Sequence, residues 1–252
     1  MLEVTGLSVR FGGVKALHDV ELTVDDGQVC GLIGPNGAGK TTLFNCLSRL
    51  AEPSSGSIRF DGVEVLERKP HEIAGLGIAR TFQHLALVPS LTVRQNVMLG
   101  AHHRHRSGFV ASALHLPLVQ REEAAMTADA DEALERVRLT AIADRPVAGL
   151  AYGQLKRVEL ARALCETPRL LCLDEPASGL SHGEVDELAE LLQTLSAELE
   201  LTVLIVEHHM GLVMRVCDKV VVLDFGRVIA AGAPREIQQD ERVIEAYLGA
   251  PA

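Results

Sequence analysis

A run of glycine, lysine and threonine residues in the first part of the chain has the types and spacing needed to bind phosphate. It follows the pattern G-x-x-x-x-G-K-[ST] and is continued by Thr42; its members are Gly34, Pro35, Asn36, Gly37, Ala38, Gly39, Lys40 and Thr41. The glycines tolerate the unusual dihedrals that bring several backbone N–H donors to one point. The lysine can reach β- and γ-phosphates, and the hydroxyl of Thr41 can ligate Mg²⁺. The pattern therefore predicts a loop that binds nucleotide phosphates.

The residues on either side of this loop predict the elements that hold it. Val29 to Ile33 is an apolar run typical of a buried strand, and Thr42 to Leu47 continues with helical spacing. A helix that begins near Gly39 directs the positive end of its dipole toward a bound phosphate. A chance glycine turn is the alternative, and the strand before it and helix after it argue against that reading.

A second candidate group lies where another apolar run ends in two carboxylates. Leu170 to Asp174 has the character of a buried strand, and Glu175 follows it directly. Because the carboxyl ends of parallel strands open at the nucleotide crevice, Asp174 can hold Mg²⁺ through water and Glu175 can polarise an attacking water. The alternative is a strand followed by an ordinary acidic turn, which the upstream phosphate loop makes less attractive.

The composition narrows the class of protein that carries these groups. With 252 residues the chain could form one large or two modest domains with a buried core. A formal charge of −10, no tryptophan and 3% aromatic residues argue against a nucleic-acid partner, because phosphate backbones are bound by dense Lys and Arg. The five cysteines stand singly, which predicts buried reduced thiols rather than disulfides or a metal site.

Two observations bear on membranes. No apolar run approaches the roughly 18 to 20 residues of a membrane helix, and the first residues enter a strand-like segment without a signal peptide. We therefore expect a cytosolic protein, or one that reaches a membrane only through a partner.

The histidine- and arginine-rich residues 101–106 are interpreted as a solvated basic turn rather than a metal or phosphate site. As an alternative, this segment faces a transmembrane partner or lipid headgroups.

The order of patterns along the chain predicts an α/β fold. Short alternating segments, a helical stretch and a strand–helix alternation follow one another, which indicates a parallel-sheet core, an antiparallel β layer and an inserted α-helical subdomain. Residues 1–89 and 168–252 are assigned to the core with its β layer, and residues 90–167 to the helical subdomain, within a single domain of 1–252. The predicted strands include Val20 to Val24, Ser57 to Phe60 and Thr202 to Glu207, and the predicted helices include Gln154 to Thr167 and Gly183 to Leu199.

One further motif gives the chain a family resemblance. The segment Leu150-Ala151-Tyr152-Gly153-Gln154, followed by a basic and apolar helical pattern, resembles the LSGGQ signature of ATP-binding-cassette ATPases. The order of phosphate loop, Gln83, signature, Asp174-Glu175 and His208 is similar to that family over nearly the whole chain. The resemblance implies a P-loop NTPase core, ATP and Mg²⁺ as cofactors, and ATP hydrolysis coupled to transport.

The resemblance also implies roles for single residues. Phe11 resembles the aromatic residue that stacks on adenine, with a core strand phenylalanine as the alternative. Gln83 resembles the glutamine that contacts Mg²⁺ and the attacking water, with an ordinary surface glutamine as the alternative. His208 resembles the histidine that contacts the γ-phosphate; a neutral core histidine is the alternative, and His209 lies one position past the motif. The implied catalytic set is Glu175, His208, Lys40 and Gln83, and the implied metal set is Thr41, Gln83 and Asp174.

Three residues depart from the family pattern. Ala151 stands where serine is usual and Tyr152 where the first glycine is usual, so a hydroxyl that would contact the γ-phosphate is missing. Phosphate contact would then depend on Gly153, Gln154 and backbone N–H groups at the start of the helix. Ser181 replaces the aspartate usual in the loop after Glu175, which puts coupling between two active sites in doubt.

Three segments together resemble one subfamily, the ATPase subunits of branched-chain amino-acid importers: Leu150 to Gln154, Arg80-Thr81-Phe82-Gln83 and the ending Glu245-Ala246-Tyr247-Leu248-Gly249. The subfamily includes relatives for amides and urea, and a close relative powers lipopolysaccharide export. The implied partners are a second ATPase subunit, identical or paralogous, two transmembrane permease subunits and, indirectly, an extracytoplasmic substrate-binding protein. Each ATP would lie between Lys40 of one subunit and Gly153-Gln154 of the other, at the cytoplasmic face of the inner membrane.

Two other classes remain as alternatives. A phosphate-loop GTPase would be expected to carry the Asn-Lys-x-Asp guanine motif, which the sequence does not contain, and a kinase would not need Leu150 to Gln154. A non-transport relative in DNA repair or translation would be expected to show two cassettes, a coiled-coil insertion or a basic face, and none of these features is visible in the sequence.

Overall fold

A computed structural model describes residues 1–82, 85–101 and 117–248 of the chain. The strands are β1 (Leu2–Phe11), β2 (Val14–Val24), β3 (Val29–Ile33), β4 (Ser55–Phe60), β5 (Val63–Glu64), β6 (Ile78–Arg80), β7 (Leu170–Asp174), β8 (Thr202–Val206), β9 (Lys219–Asp224) and β10 (Arg227–Gly232). The helices are α1 (Lys40–Leu47), α2 (Val93–Met98), α3 (Pro117–Arg136), α4 (Tyr152–Leu164), α5 (His182–Leu199), α6 (Met210–Val216), α7 (Pro234–Gln239) and α8 (Glu241–Leu248). Short 3₁₀ turns occur at Pro70–Glu72, Ala74–Leu76 and Thr140–Ile142. The chain divides into two compact units, residues 1–73 with 170–252 and residues 74–169.

The first unit contains an antiparallel sheet with the strand order β2-β1-β4-β5. Along β1 the side chains of Leu2, Val4, Leu7 and Val9 are buried and most of the residues between them are not. This alternation is expected of a sheet with one face on the core, because successive side chains point to opposite faces. The β1–β2 pairing contains register shifts near Asp19, which has a φ of 54°.

The same unit contains a second sheet in which five strands run in the order β10-β9-β3-β8-β7. Strands β9, β3, β8 and β7 are parallel, and β10 pairs with β9 in the antiparallel sense. Every residue of β3, β7 and β8 is buried, as expected for parallel strands covered on both faces. The carboxyl ends of these three strands lie at one edge of the sheet, which is where an α/β protein places its ligand crevice.

The second unit is mainly helical. Helices α2, α3 and α4 pack against each other and bury apolar side chains such as Val97, Leu134 and Val158. Thr92 caps α2: its hydroxyl accepts a hydrogen bond from Gln95 N–H at 3.1 Å, and the Gln95 side chain accepts one from Thr92 N–H at 2.9 Å. This reciprocal capping box fixes the start of the helix.

The predicted α/β class, with a parallel sheet, an antiparallel β layer and a helical part, is confirmed. The structure extends one predicted strand, since β2 begins at Val14 rather than Val20, and the positive φ of Asp19 explains why the alternation is interrupted there. The helix predicted over Gln154 to Thr167 begins two residues earlier and ends at Leu164. In the part of the chain that the structure describes, no helix is both long enough and apolar enough to cross a bilayer.

Candidate nucleotide site

The predicted phosphate loop connects β3 to α1, as its flanking sequence indicates. Gly34 has a φ of 148°, and a Cβ at this position would lie 2.0 Å from the backbone oxygen of Leu223. Gly39, the N-cap of α1, has a φ of 105°, and its Cβ would lie 2.6 Å from the backbone oxygen of Ala16. These backbone groups cannot move as a flexible side chain can, so both positions require glycine.

The side chain of Lys40 folds back over the start of this loop. Its Nζ donates hydrogen bonds to the backbone oxygens of Gly34 at 2.6 Å and Pro35 at 2.9 Å, and the residue is buried. Burial lowers the pKa of the Lys40 ammonium, and the negative charges of Glu175 and Asp174 act in the opposite direction. Asp174, the last residue of β7, and Glu175, which follows it, are therefore electrostatic neighbours of Lys40 in the phosphate loop.

The other members of the loop differ in their accessibility. Ala38 is buried, Pro35 and Thr42 are half-buried, and Asn36 and Thr41 are exposed. The Thr41 hydroxyl is therefore free to approach a solvent-borne ion or phosphate, whereas Ala38 packs inside the protein.

The C-terminal part of the chain supports the same loop, which the sequence did not indicate. In the β9–β10 turn, Gly226 N–H donates to the backbone oxygen of Ala38 at 2.9 Å, and Gly226 accepts from His18 N–H at 2.8 Å. Burial raises the pKa of the Tyr247 hydroxyl on α8, and a hydrogen bond with the backbone of Gly34 acts in the opposite direction. Residues distant in sequence thus hold the phosphate loop in place.

Asp174 and Glu175 lie at the carboxyl end of β7. Asp174 is buried, whereas the Glu175 side chain is 19% exposed. Glu175 has a φ of 48° and donates its N–H to the backbone oxygen of Val206 at 2.9 Å. A left-handed conformation is unfavourable for glutamate, and such positions cluster at functional sites where the surroundings hold them.

His208 lies beside Glu175. Its Nδ1 is 3.9 Å from Glu175 Oε1, and its side chain is 58% exposed. The distance is longer than a hydrogen bond but short enough for an ion pair when the imidazole is protonated. The exposure of His208 excludes the alternative of a neutral core histidine. By contrast, His209 accepts a hydrogen bond from Leu212 N–H at 3.3 Å through Nδ1 and serves as the N-cap of α6.

Glu207 is a residue of this site that the sequence interpretation missed. Its side chain is completely buried, and its two oxygens accept three backbone hydrogen bonds, from Ala177 N–H at 2.7 Å, His208 N–H at 2.8 Å and His209 N–H at 2.9 Å. The available signal was a glutamate directly after five apolar or β-branched residues, because a carboxylate at that place is buried and needs partners.

Phe11 is the last residue of β1, paired with Val14 of β2, and it is 57% exposed. This exposure excludes the alternative of a core phenylalanine and leaves an apolar ring face available to a planar ligand.

The signature segment lies in the second unit, at the start of α4. Ala151 is the N-cap of this helix and makes no side-chain cap, while its N–H donates to Gln154 Oε1 at 3.3 Å. Gly153 and Gln154 are half-buried in the first turn. The Lys156 Nζ lies 5.8 Å from the centroid of the Tyr152 ring, within cation–π range.

Three other predictions have different outcomes. Ser181 is the N-cap of α5; its N–H donates to Glu184 Oε2 at 2.8 Å and its hydroxyl donates to the same oxygen at 2.7 Å. All five cysteines are buried free thiols, which confirms the prediction that they are buried. Gln83 and the basic segment from His102 to Arg106 lie outside the described residues.

Comparison of the sequence with known proteins gives two family matches and a close relative. The profile of the ABC transporter family matches residues 17–178, and that of the branched-chain amino acid ATP-binding cassette transporter matches residues 227–252. The chain is 44% identical over 249 residues to the high-affinity branched-chain amino acid transport ATP-binding protein BraF of Pseudomonas aeruginosa. The alignment covers 99% of this chain and 98% of BraF.

Comparison of the fold gives similar solved structures. One is the ADP conformation of MJ1267, an ATP-binding cassette of an ABC transporter, with a TM-score of 0.86, 30% sequence identity, and coverage of 99% of this chain and 98% of that one. Another is the dimeric post-hydrolysis state of the ATP-binding cassette MJ0796 bound to ADP and Pi. Its TM-score is 0.78 at 25% identity, with coverage of 93% of this chain and 99% of that one.

Proposed function

The chain belongs to the ABC transporter family of ATP-binding cassettes, and from this membership we propose that it is the ATP-hydrolysing motor subunit of an importer for branched-chain amino acids. The observation that carries the cargo is the match of residues 227–252 to the branched-chain cassette family, in a chain that is 44% identical to BraF along nearly its whole length. The observation that supports hydrolysis is the grouping of Lys40, Glu175 and His208 at one edge of the parallel sheet.

The phosphate loop is the proposed binding site for the triphosphate of ATP. Backbone N–H groups of the loop and the start of α1 would bind phosphate oxygens, and Lys40 would exchange its bonds to Gly34 and Pro35 for bonds to the β- and γ-phosphates. Phe11 offers its exposed ring to the adenine. The crowded cradle around Gly34 and Gly39, which a Cβ would fill, fits a site that brings backbone close to a ligand.

Mg²⁺ fits the oxygen donors beside this loop. The exposed hydroxyl of Thr41 and the carboxylate of Asp174, together with Gln83, would hold it, because Mg²⁺ prefers hard oxygen ligands. When bound, the ion would neutralise charge that develops on the β- and γ-phosphate oxygens.

Glu175 and His208 are the proposed catalytic groups for hydrolysis. Glu175 would orient or deprotonate the attacking water, and its strained backbone aims the carboxylate from the end of β7. His208, at 3.9 Å from that carboxylate, and Lys40 would stabilise negative charge on the γ-phosphate as the bond to the leaving ADP breaks.

A second copy or a paralogous subunit is the proposed partner across the nucleotide. The similarity to the dimeric cassette MJ0796 supports a dimer. Gly153 and Gln154 of one subunit would complete the ATP site of the other, so two bound nucleotides would hold the dimer together and hydrolysis would release it. Two permease subunits would anchor the dimer at the cytoplasmic face of the inner membrane, with an extracytoplasmic substrate-binding protein delivering cargo to them. No nucleic acid takes part.

Uptake of radiolabelled leucine tests the cargo. Cells that lack other leucine transporters would carry the wild type, a deletion, Lys40→Ala or the control Lys69→Ala, which alters an exposed lysine away from the loop. We expect uptake to be lost in the deletion and in Lys40→Ala and kept in Lys69→Ala. Normal leucine uptake in the deletion strain would overturn the assignment of branched-chain amino acids as the cargo. The proposed ATPase activity would be unaffected, and amides, urea or lipopolysaccharide export would be tested next.

Hydrolysis is tested separately with Glu175→Gln. We expect this variant to bind ATP, to lose about 1000-fold in hydrolysis rate and to accumulate as an ATP-bound dimer, since a positioned acid–base group contributes roughly 10²- to 10⁴-fold. Size-exclusion chromatography with ATP would detect the dimer. A variant that hydrolyses ATP at the normal rate would refute this role for Glu175.

A further inference from the structure

The buried carboxylate of Glu207 connects two loops that carry the proposed catalytic groups. One of its oxygens accepts from Ala177, two residues after Glu175, and the other accepts from the backbone of His208 and His209. The donor on Ala177 is thirty residues away in sequence from Glu207. The side chain therefore fixes a distance between segments that the chain itself does not join locally.

The contacts around Glu207 restrain both loops. Glu175 N–H donates to the backbone oxygen of Val206 at 2.9 Å, and Ala177 N–H donates to Glu207. The loop after β7 is therefore held at Glu175 and again two residues later. Glu207 N–H donates to the backbone oxygen of Leu32 at 3.4 Å, at the end of the strand that leads into the phosphate loop. A charged group that is completely buried needs such partners, because its desolvation is costly.

We propose that Glu207 is a positioning residue for ATP hydrolysis, acting through the backbone of His208 and of the loop that begins at Glu175. This role of Glu207 rests on the proposed function, because it concerns how the catalytic groups are placed rather than which reaction they perform. The negatively charged carboxylate binds three N–H donors at once, which a neutral amide cannot do, since an amide has only one acceptor oxygen. Through these backbone contacts Glu207 restrains the loops that carry Glu175 and His208, whose Oε1 and Nδ1 atoms are 3.9 Å apart.

The first test replaces the carboxylate by its amide. In Glu207→Gln, the amide nitrogen must face backbone N–H donors on one side, so one of the two loops loses its anchor. We expect kcat for ATP hydrolysis to fall about 100-fold, the scale of a small misplacement of reacting groups. The KM for ATP should stay within about twofold, because the phosphate loop is unchanged.

Glu64→Gln is the matched control. Glu64 also accepts two backbone hydrogen bonds through one oxygen, from Ile58 N–H at 3.1 Å and Leu66 N–H at 3.2 Å, but it lies in the antiparallel sheet. Its amide variant should lose stability without losing kcat per folded molecule. If both variants lower kcat equally, or if Glu207→Gln hydrolyses ATP at the wild-type rate, the positioning role is wrong.

A double-mutant cycle with His208→Ala separates positioning from general structural damage. If Glu207 acts largely through His208, Glu207→Gln should lower kcat much less in the His208→Ala background than in the wild type. Independent, multiplicative losses would contradict the proposal, because they would show that Glu207 does not act through His208. The measurement uses the full chain, assembled with its permeases where the wild type requires them for activity.

Glu207→Asp covers the case in which the amide variant does not fold. Aspartate keeps the charge and can still accept from the next two backbone N–H groups, as short acidic side chains do in turns, but it is too short to reach Ala177 as well. We expect it to fold and to lose at least tenfold in kcat. A folded Asp variant with wild-type kcat would overturn the inference. Absence of hydrolysis by the wild-type protein would instead refute the proposed function.

Discussion

Two helices of this protein begin at residues expected to meet phosphate, and their first turns are built differently. Helix α1 follows a glycine loop, begins after a left-handed Gly39 and carries the buried Lys40 at its first position. Helix α4 begins after Ala151, which has ordinary extended dihedrals and no side-chain cap, and its first turn is open to solvent at Tyr152. The first helix start is enclosed by backbone from other strands, whereas the second is held by its own side chains.

This difference explains which of the two helix starts can differ in sequence from the family pattern. At α1 the backbone of Leu223 and Ala16 fills the space in which a Cβ would lie, so sequence change is excluded by geometry. At α4 the exposed Ala151 and Tyr152 replace the usual serine and glycine without a steric conflict in the unit that contains them. A binding loop made from backbone is therefore intolerant of substitution, and one made from exposed side chains can vary.

The largest expected effect comes from adding a methyl group in each region. Gly34→Ala places a Cβ 2.0 Å from a backbone oxygen, and we expect the free energy of unfolding to fall by more than about 3 kcal/mol, with loss of ATP binding. Gly149→Ala, at a φ of 84° with nothing within 4 Å, should cost only about 1 kcal/mol from backbone strain. Chemical denaturation measures both, and equal losses would contradict the comparison.

The next effect concerns the two buried lysines of these helices. Lys40→Ala should raise the Kd for ATP by about tenfold to 100-fold in the isolated subunit, the worth of hydrogen bonds to a charged group. Lys156→Ala, which removes the cation beside Tyr152, should change that Kd by less than about threefold while lowering stability. Titration with a fluorescent ATP analogue gives both constants. An equal loss of affinity in the two variants would mean that Lys40 is not a phosphate ligand.

The phosphate loop could be predicted from the sequence because its geometry is local. A buried strand, glycines at fixed spacing and a helix follow one another within about twenty residues, so pattern and context coincide. The same holds for β7, and for β8 to within one residue, since β8 ends at Val206 rather than at the predicted Glu207. Even the position of His208 follows from its place just beyond β8.

Glu207 could not be predicted because its partners are brought together only by the fold. Ala177, which donates to Glu207, is thirty residues away in sequence, and no pattern near Glu207 indicates that donor. The contact between Gly226 and Ala38 is of the same kind, since the β9–β10 turn supports a loop that lies far away in sequence. Likewise, the sequence pattern predicts only the second half of β2, because the left-handed Asp19 interrupts the alternation of buried and exposed residues.

A smaller effect is expected from restoring a hydroxyl at the start of α4. Ala151→Ser should supply the missing N-cap and raise the free energy of unfolding by about 0.5 to 1 kcal/mol. Ala233→Ser is the control, because Ala233 is the uncapped N-cap of α7 and should give a similar gain in stability. If the signature contacts ATP in the dimer, only Ala151→Ser should also change the hydrolysis rate. A change in rate for both variants would remove the distinction between these two helix starts.

The smallest effect probes how firmly α1 is packed behind the phosphate loop. Cys46 lies in α1 and is completely buried, and burial raises the pKa of its thiol to about 11. The thiol should therefore stay protonated and resist maleimide at pH 7 until the protein unfolds, and bound ATP should slow its labelling further. Mass spectrometry measures the labelling, with Cys46→Ala as the control.

The same pKa fixes the sign of the dependence of stability on pH. Below the ordinary thiol pKa both the folded and the unfolded chain hold the Cys46 proton, so this group contributes no pH dependence. Between that value and about 11, the unfolded chain loses the proton and the folded chain keeps it, so stability must fall as pH rises. Cys30, whose pKa burial raises to about 12, acts in the same direction. Cys46→Ala should make this alkaline loss of stability shallower. An unchanged slope, or rapid labelling of Cys46 in the native protein, would show that α1 opens as readily as an exposed helix start and that its enclosure is not what distinguishes it from α4.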